Sequence, residues 1–131
     1  MAGDQSNPSG LITRPAARDL SDYQYHAMKI DSNGDIDYAD TSNSDVAIGI
    51  LQNAPDEAGA EAEVATEGTS KYVVTGSDTI AAGDKLGSDS SYHGKKVTAS
   101  KAVYFALAME AATADGDIIE AKLVGHTYVT A

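Results

Sequence analysis

Cysteine is absent from the 131 residues, which excludes disulfides, thiolate nucleophiles and cysteine-held zinc. Tryptophan is absent too and phenylalanine occurs once, so Ala, Val, Ile and Leu must fill most of any core, with seven tyrosines as the large side chains. Basic residues are few: nine Lys and Arg stand against twenty Asp and Glu, a net charge of -11. That sign repels nucleic-acid phosphates and anionic membranes, so neither is an expected partner. The acidity reads first as a solubility device. No run approaches the roughly 20 apolar residues of a membrane helix. The opening MAGDQSNPSG lacks the apolar stretch of a secretory signal, so synthesis without export is expected.

What the chain does have is an internal echo. At an offset of 57 residues Val46, Ile48 and Ile50 fall on Val103, Phe105 and Leu107, Gly59 on Gly116, Glu63 on Glu120, and Gly68 on Gly125. With one residue of slippage, Tyr72 and Val73 answer Tyr128 and Val129. Each half reads as strand, tight turn, strand, glycine, strand. Neither could bury its apolar face alone, so the expected fold is all-β: one small compact β-barrel built from two pseudo-repeated halves. Residues 21–131 are assigned to that barrel. Residues 1–20, polar around Leu11 and Ile12 and holding Pro8, Pro15 and the only two arginines, are assigned to an extended arm that orders on binding.

The strand assignments rest on a period of two. From Tyr23 to Ile30 the chain alternates, Asn33-Gly34 marks a hairpin turn, and Ile36–Tyr38 return antiparallel. Val46–Leu51 and Glu61–Thr66 form the next pair, with Ala62 and Val64 inward and Glu61, Glu63 and Glu67 outward. Strands follow at Lys71–Thr75, ended by Gly-Ser-Asp, within IAAGDKLG, from Lys96 to Ala99, from Val103 to Glu110, and from Ile119 to Tyr128 after a turn at Ala-Asp-Gly-Asp. The alanines of AVYFALAMEAATA also suit a helix; the β-branched and aromatic start and the partner VAIGIL favour a strand.

No catalytic constellation emerges, and no cofactor is expected. DSNGDID superficially offers calcium ligands in Asp31, Asn33, Asp35 and Asp37. An EF-hand loop would need Gly where Ile36 stands and Glu where Ser42 stands. Asp56 with Glu57 and Asp115 with Asp117 read as turn residues. His26, His93 and His126 have no metal-ligand spacing. There is no G-x-S-x-G elbow, and Gly83, Gly87 and Gly94 lack the strand-to-helix context of a phosphate loop.

The succession AIGIL, GAEAEVATEG, IAAGDKLG, KKVTAS and FALAMEAATADGDIIEAKL resembles the small decoration, or cement, proteins of tailed-bacteriophage capsids, over roughly residues 23 to 125. The resemblance implies a non-enzymatic virion protein, made in the host cytoplasm, that sits on the outer capsid surface as a homotrimer. It would stabilise the expanded shell by bridging major capsid protein subunits. Leu11, Ile12, Arg14, Pro15 and Arg18 are then the expected capsid contacts, and Tyr104 and Tyr128 candidates for a subunit interface. A rival reading is a carbohydrate- or ligand-binding β-module of a phage tail or fibre, with Tyr23, Tyr25, Tyr38 and Tyr92 as a stacking platform. A weaker one is an enzyme with metal held by the turn carboxylates.

Overall fold

The computed structural model describes residues 7–75, 79–112 and 114–130. They form nine strands: β1 (Asn7–Pro15), β2 (Ala27–Ile30), β3 (Ile36–Tyr38), β4 (Gly49–Leu51), β5 (Glu61–Val73), β6 (Lys85–Ser88), β7 (Gly94–Lys96), β8 (Val103–Ala108) and β9 (Ile118–Tyr128). All belong to one antiparallel sheet ordered β3-β2-β4-β5-β9-β8-β6-β7, with β1 on the other edge of the first half of β5. The sheet curls into a half-barrel. The only helical element among the described residues is a short 3-10 turn at Thr41–Asn43.

Several strands depart from the expected bounds for local reasons. Tyr25 has a φ of 65°, so the first alternating run becomes strand only at Ala27. The two strands expected at Glu61–Thr66 and Lys71–Thr75 are one long strand, β5, which carries Gly68 at φ 85° between its halves. That positive φ suits glycine, and the close approach of Ser9 and Asn7 leaves no room for a side chain. The pairing after Tyr92 is made by Gly94–Lys96 and stops before Val97. β8 is a strand, as its β-branched start requires. A register shift between Tyr104 and Ala106 puts Phe105, Ala106 and Ala108 inside and leaves Met109 47% exposed. The break expected at Gly-Ser-Asp lies outside the described residues.

Residues 7–15, expected as an arm, are strand β1, in register with β5 from Asn7↔Thr69 to Pro15↔Glu61. The free edge of β5 offers unpaired backbone donors and acceptors, and an extended polar segment satisfies them. Beyond β1 the chain goes straight into the core, where Ala16 is 1% and Leu20 0% exposed.

Backbone features recur along the chain at a nearly constant spacing. The ten positive-φ residues among those described fall into pairs: Tyr25 and Gly83, Gly34 and Tyr92, Ser44 and Lys101, Gly59 and Gly116, Gly68 and Gly125, each 57 or 58 residues apart. The parallel bridge Ala16↔Ile36 has a counterpart in Val74↔Gly94. Likewise Ile12↔Val64 between β1 and β5 corresponds to Ser70↔Ala121 between β5 and β9. At Val73 the backbone N–H is donated outward to the carbonyl of Tyr25, 3.0 Å away. The residue 58 positions earlier is Pro15, which has no N–H, so the free edge of β1 is blunted there.

Two apolar clusters lie on opposite faces of the sheet, because the adjacent residues Ala27 and Met28, Ile50 and Leu51, and Val64 and Ala65 divide between them. The larger gathers Ile50, Ala65, Tyr72, Ile80, Leu86, Phe105 and Ile119; the smaller gathers Ala16, Leu20, Met28, Ile36, Leu51 and Val64. Tyr72 is fully buried and donates its hydroxyl to the carbonyl of Gly87 at 2.7 Å. No strand pairing joins β3 to β7 among the described residues; a backbone bond from the Ala27 N–H to the carbonyl of Tyr92 (3.2 Å) and side-chain bonds cross the mouth of the half-barrel instead. Thr41 N–H donates to Ser88 Oγ (2.9 Å), Ser88 N–H to Thr41 Oγ1 (2.7 Å), and Ser88 Oγ to the carbonyl of Ala39 (2.7 Å).

Candidate functional site

The five residues singled out near the N-terminus lie along β1 and the turn after it, and they face different ways. Leu11 is 54% exposed, whereas Ile12, its neighbour on the opposite face, packs on the smaller core cluster. Arg14 donates Nε to the carbonyl of Gly34 at 2.9 Å. Arg18 makes a bidentate pair with Asp37, Nε to Oδ1 and Nη2 to Oδ2, both 2.9 Å. Its guanidinium lies 4.6 Å over the ring of Tyr38, and the bond to Asp37 raises its pKa further. Both arginines therefore fasten the N-terminal segment to the β2–β3 hairpin. Leu11 and Pro15 remain turned to solvent.

Three of the four tyrosines of the stacking-platform reading do come together. Tyr38 and Tyr92 stack at 4.0 Å and 14°, with Tyr23 edge-on to Tyr92 at 5.7 Å and tilted against Tyr38 at 5.1 Å. Tyr25 stands apart, with Lys71 Nζ 5.4 Å over its ring. Tyr92 covers one face of Tyr38 and Arg18 the other, so that ring has no free face for a sugar. The cluster is a half-buried seam between the two halves of the sheet.

The seam also joins two histidines that the sequence keeps 67 positions apart: His26 and His93, with ring centroids 4.9 Å apart. Burial pushes the His26 pKa down and His93 pushes it the same way, against the hydrogen bond between its Nδ1 and the carbonyl of Gln24. A depressed histidine is stable while neutral. Its contribution is whole above the unfolded pKa near 6.5 and is lost as pH falls toward the folded value. Melting curves should therefore show stability declining below about pH 6.5, by at most about 1.4 kcal/mol per pH unit from this group. His26→Gln should flatten that decline. A profile unchanged by the substitution would contradict the assignment.

The turn carboxylates serve the backbone. Asp31 Oδ1 accepts the N–H groups of Asn33 and Asp35, both at 2.9 Å, and so shapes the hairpin turn. Asp117 Oδ2 accepts the N–H of Ala114 at 3.1 Å. Among the described residues no three acidic or histidine groups gather as metal ligands would.

Residues 23–123 match the family model of phage cement proteins. The chain belongs to the phage cement protein family. No curated protein matches it. The family is one of structural phage proteins, and membership places this cement protein in association with a phage capsid. The matched stretch runs from the tyrosine seam through most of β9 and takes in strands β2 to β8. β1 and the last five residues of β9 lie outside it.

Tyr104 and Tyr128 do not form one patch. Val103 is paired with Tyr128 and Tyr104 with Thr127, so the two tyrosines lie on opposite faces of the sheet. Tyr104 is partly covered and has Lys85 Nζ 5.8 Å over its ring. Tyr128 is 60% exposed and meets His126 edge-on at 5.6 Å. A surface feature that the residue-by-residue reading missed lies beside Tyr128. Lys95, Lys96 and Lys101, three of the nine basic residues, fall within seven positions and line one groove with it. Their density in so acidic a chain was the available signal.

Proposed function

We propose that this cement protein binds the outer surface of an expanded tailed-phage shell as a homotrimer and stabilises it by bridging neighbouring major capsid protein subunits. The observation that carries this reading is the family match over residues 23–123. Physically, a protein that binds the intact shell and not its disrupted form raises the cost of rupture by its binding free energy. A multimer engaging several subunits converts later contacts into intramolecular ones, so weak individual interfaces suffice. A rigid scaffold helps, because little ordering is needed at the moment of docking. Synthesis in the host cytoplasm fits a cysteine-free chain.

In this reading the segment from Leu11 to Arg18 meets the shell. Leu11, Arg14 and Pro15 present the contact, while Ile12 and Arg18 hold the strand in place through the smaller core cluster and Asp37. Tyr104 and Tyr128 serve subunit contacts on separate faces. Deleting residues 2–18 would remove β1 and the buried Ala16 and so confuse binding with folding. The cleaner probe is Leu11→Asp, because Leu11 is exposed. Occupancy on isolated expanded capsids should drop by at least about tenfold, with the melting temperature nearly unchanged. Undiminished occupancy would remove β1 from the contact.

A further inference from the structure

Between the Thr41–Val46 stretch and the Lys95–Val103 stretch lies a groove of about 670 Å³. Its floor and rim include Val46, 54% exposed, and Tyr128, 60% exposed. Lys95, Lys96 and Lys101 line it. Lys96 lies 3.5 Å from Asp84, whereas Lys95 and Lys101 have no acidic partner among the described residues. The one carboxylate in the lining, Asp45, is already occupied by Lys29 at 3.0 Å and by the N–H of Asp40 at 2.9 Å. His126 Nδ1 is buried in the wall without a hydrogen-bond partner among the described residues. A chain of net charge -11 thus gathers cations around exposed apolar side chains at one place, and leaves a polar atom there unsatisfied.

The complementary surface is on the same molecule. Along the outward face of β1 and the first half of β5, Thr13 is paired with Glu63 and Pro15 with Glu61, and Leu11 continues the row. Leu11, Glu61, Glu63 and Glu67 are all exposed. The row presents carboxylates where the groove presents lysines. The face and the groove share no residue. A contact between them is therefore heterologous, and repetition of such a contact builds a ring where the rotation between copies closes and an open filament where it does not.

We propose that copies of this protein associate head to tail, the lysine groove of one receiving the Glu61 and Glu63 carboxylates of the next. The proposal deepens the multimeric part of the function above and rests on it. Lysine-to-carboxylate pairing fixes the register. Without charge pairing, two surfaces of so acidic a chain would repel.

Charge reversal tests it, with association followed by sedimentation and folding checked by thermal melts. Lys95→Glu with Lys101→Glu should weaken association at least about tenfold, and Glu61→Lys with Glu63→Lys should do the same, because each sets like charges face to face. All four changes in one chain should restore it. A wild-type protein that stays monomeric at high concentration would overturn the proposal, as would either double variant that assembles like wild type, or a fourfold variant that fails to recover. Failure of the cement reading itself is separate: the wild-type protein would leave expanded shells bare.

Discussion

Gly49→Ala is expected to be the most damaging single methyl that can be added to this protein. β4 is only three residues long and is fully buried, and at Gly49 it crosses β5 so closely that a Cβ would collide with the carbonyl oxygen of Ala65. It would also lie 2.8 Å from the carbonyl carbon of Ala65 and 3.0 Å from Val64 Cγ1. Two of those neighbours are backbone in the middle of the longest strand, so no side-chain rotation relieves the clash. β4 must move off β5, uncovering Ile50 and Leu51, which are 0% exposed and belong to different core clusters. The expected loss is roughly 3–5 kcal/mol, a fall in melting temperature on the order of 10 °C or more. The same substitution at Gly59, where nothing lies within 4 Å, meets only the strain of its positive φ and should be far milder. Urea unfolding of the two variants side by side measures the difference. Equal losses would mean that the approach of β4 to β5 does not limit stability.

The second large effect is expected at the mouth of the half-barrel. Ser88 is 1% and Thr41 8% exposed, and their reciprocal bonds link the two ends of the sheet where no strand pairing does so. Ser88→Ala strands the Thr41 N–H and takes the donor from the carbonyl of Ala39. Both groups are buried, so the loss should reach about 2–3 kcal/mol. Thr41→Val strands the Ser88 N–H in the same way and should lose a similar amount. Because the two residues act on each other, the double variant should lose less than the sum of the singles by at least about 0.5 kcal/mol. Additive losses would show that the pair does not work as a unit.

Much of the architecture was legible because period-two alternation and turn chemistry are local. The β2–β3 hairpin could be placed from Asn33-Gly34, and the inward Ala62 and Val64 from their exposed glutamate neighbours. The 57-residue spacing of Gly59, Gly68, Gly116 and Gly125 was visible in the sequence, and their backbone angles are all positive. The positive φ of Tyr25, which delays β2, was not visible: tyrosine gives no sign of a left-handed turn. Nor was the pairing of residues 7–15, since polar composition suits an edge strand as well as a free arm. The bulge in β8 also escaped, because alternation predicts one inward face and cannot show a strand changing faces at Tyr104–Ala106.

The surface was harder to read than the fold. Arg14 and Arg18 stood out as the only arginines, yet the groups they bind come from a hairpin about 20 positions away, a distance no local pattern reports. The histidine pair and the lysine groove likewise depend on how the sheet curls. Leu11 was identifiable because a large apolar residue in a polar stretch is anomalous wherever the stretch lies.

Cryo-electron microscopy of expanded capsids of the parent phage, with and without the purified protein, tests the central claim most directly. The predicted result is added density on the outer surface at the three-fold and quasi-three-fold positions, touching more than one major capsid subunit. Expanded shells with open sites that stay bare at saturating protein would contradict it.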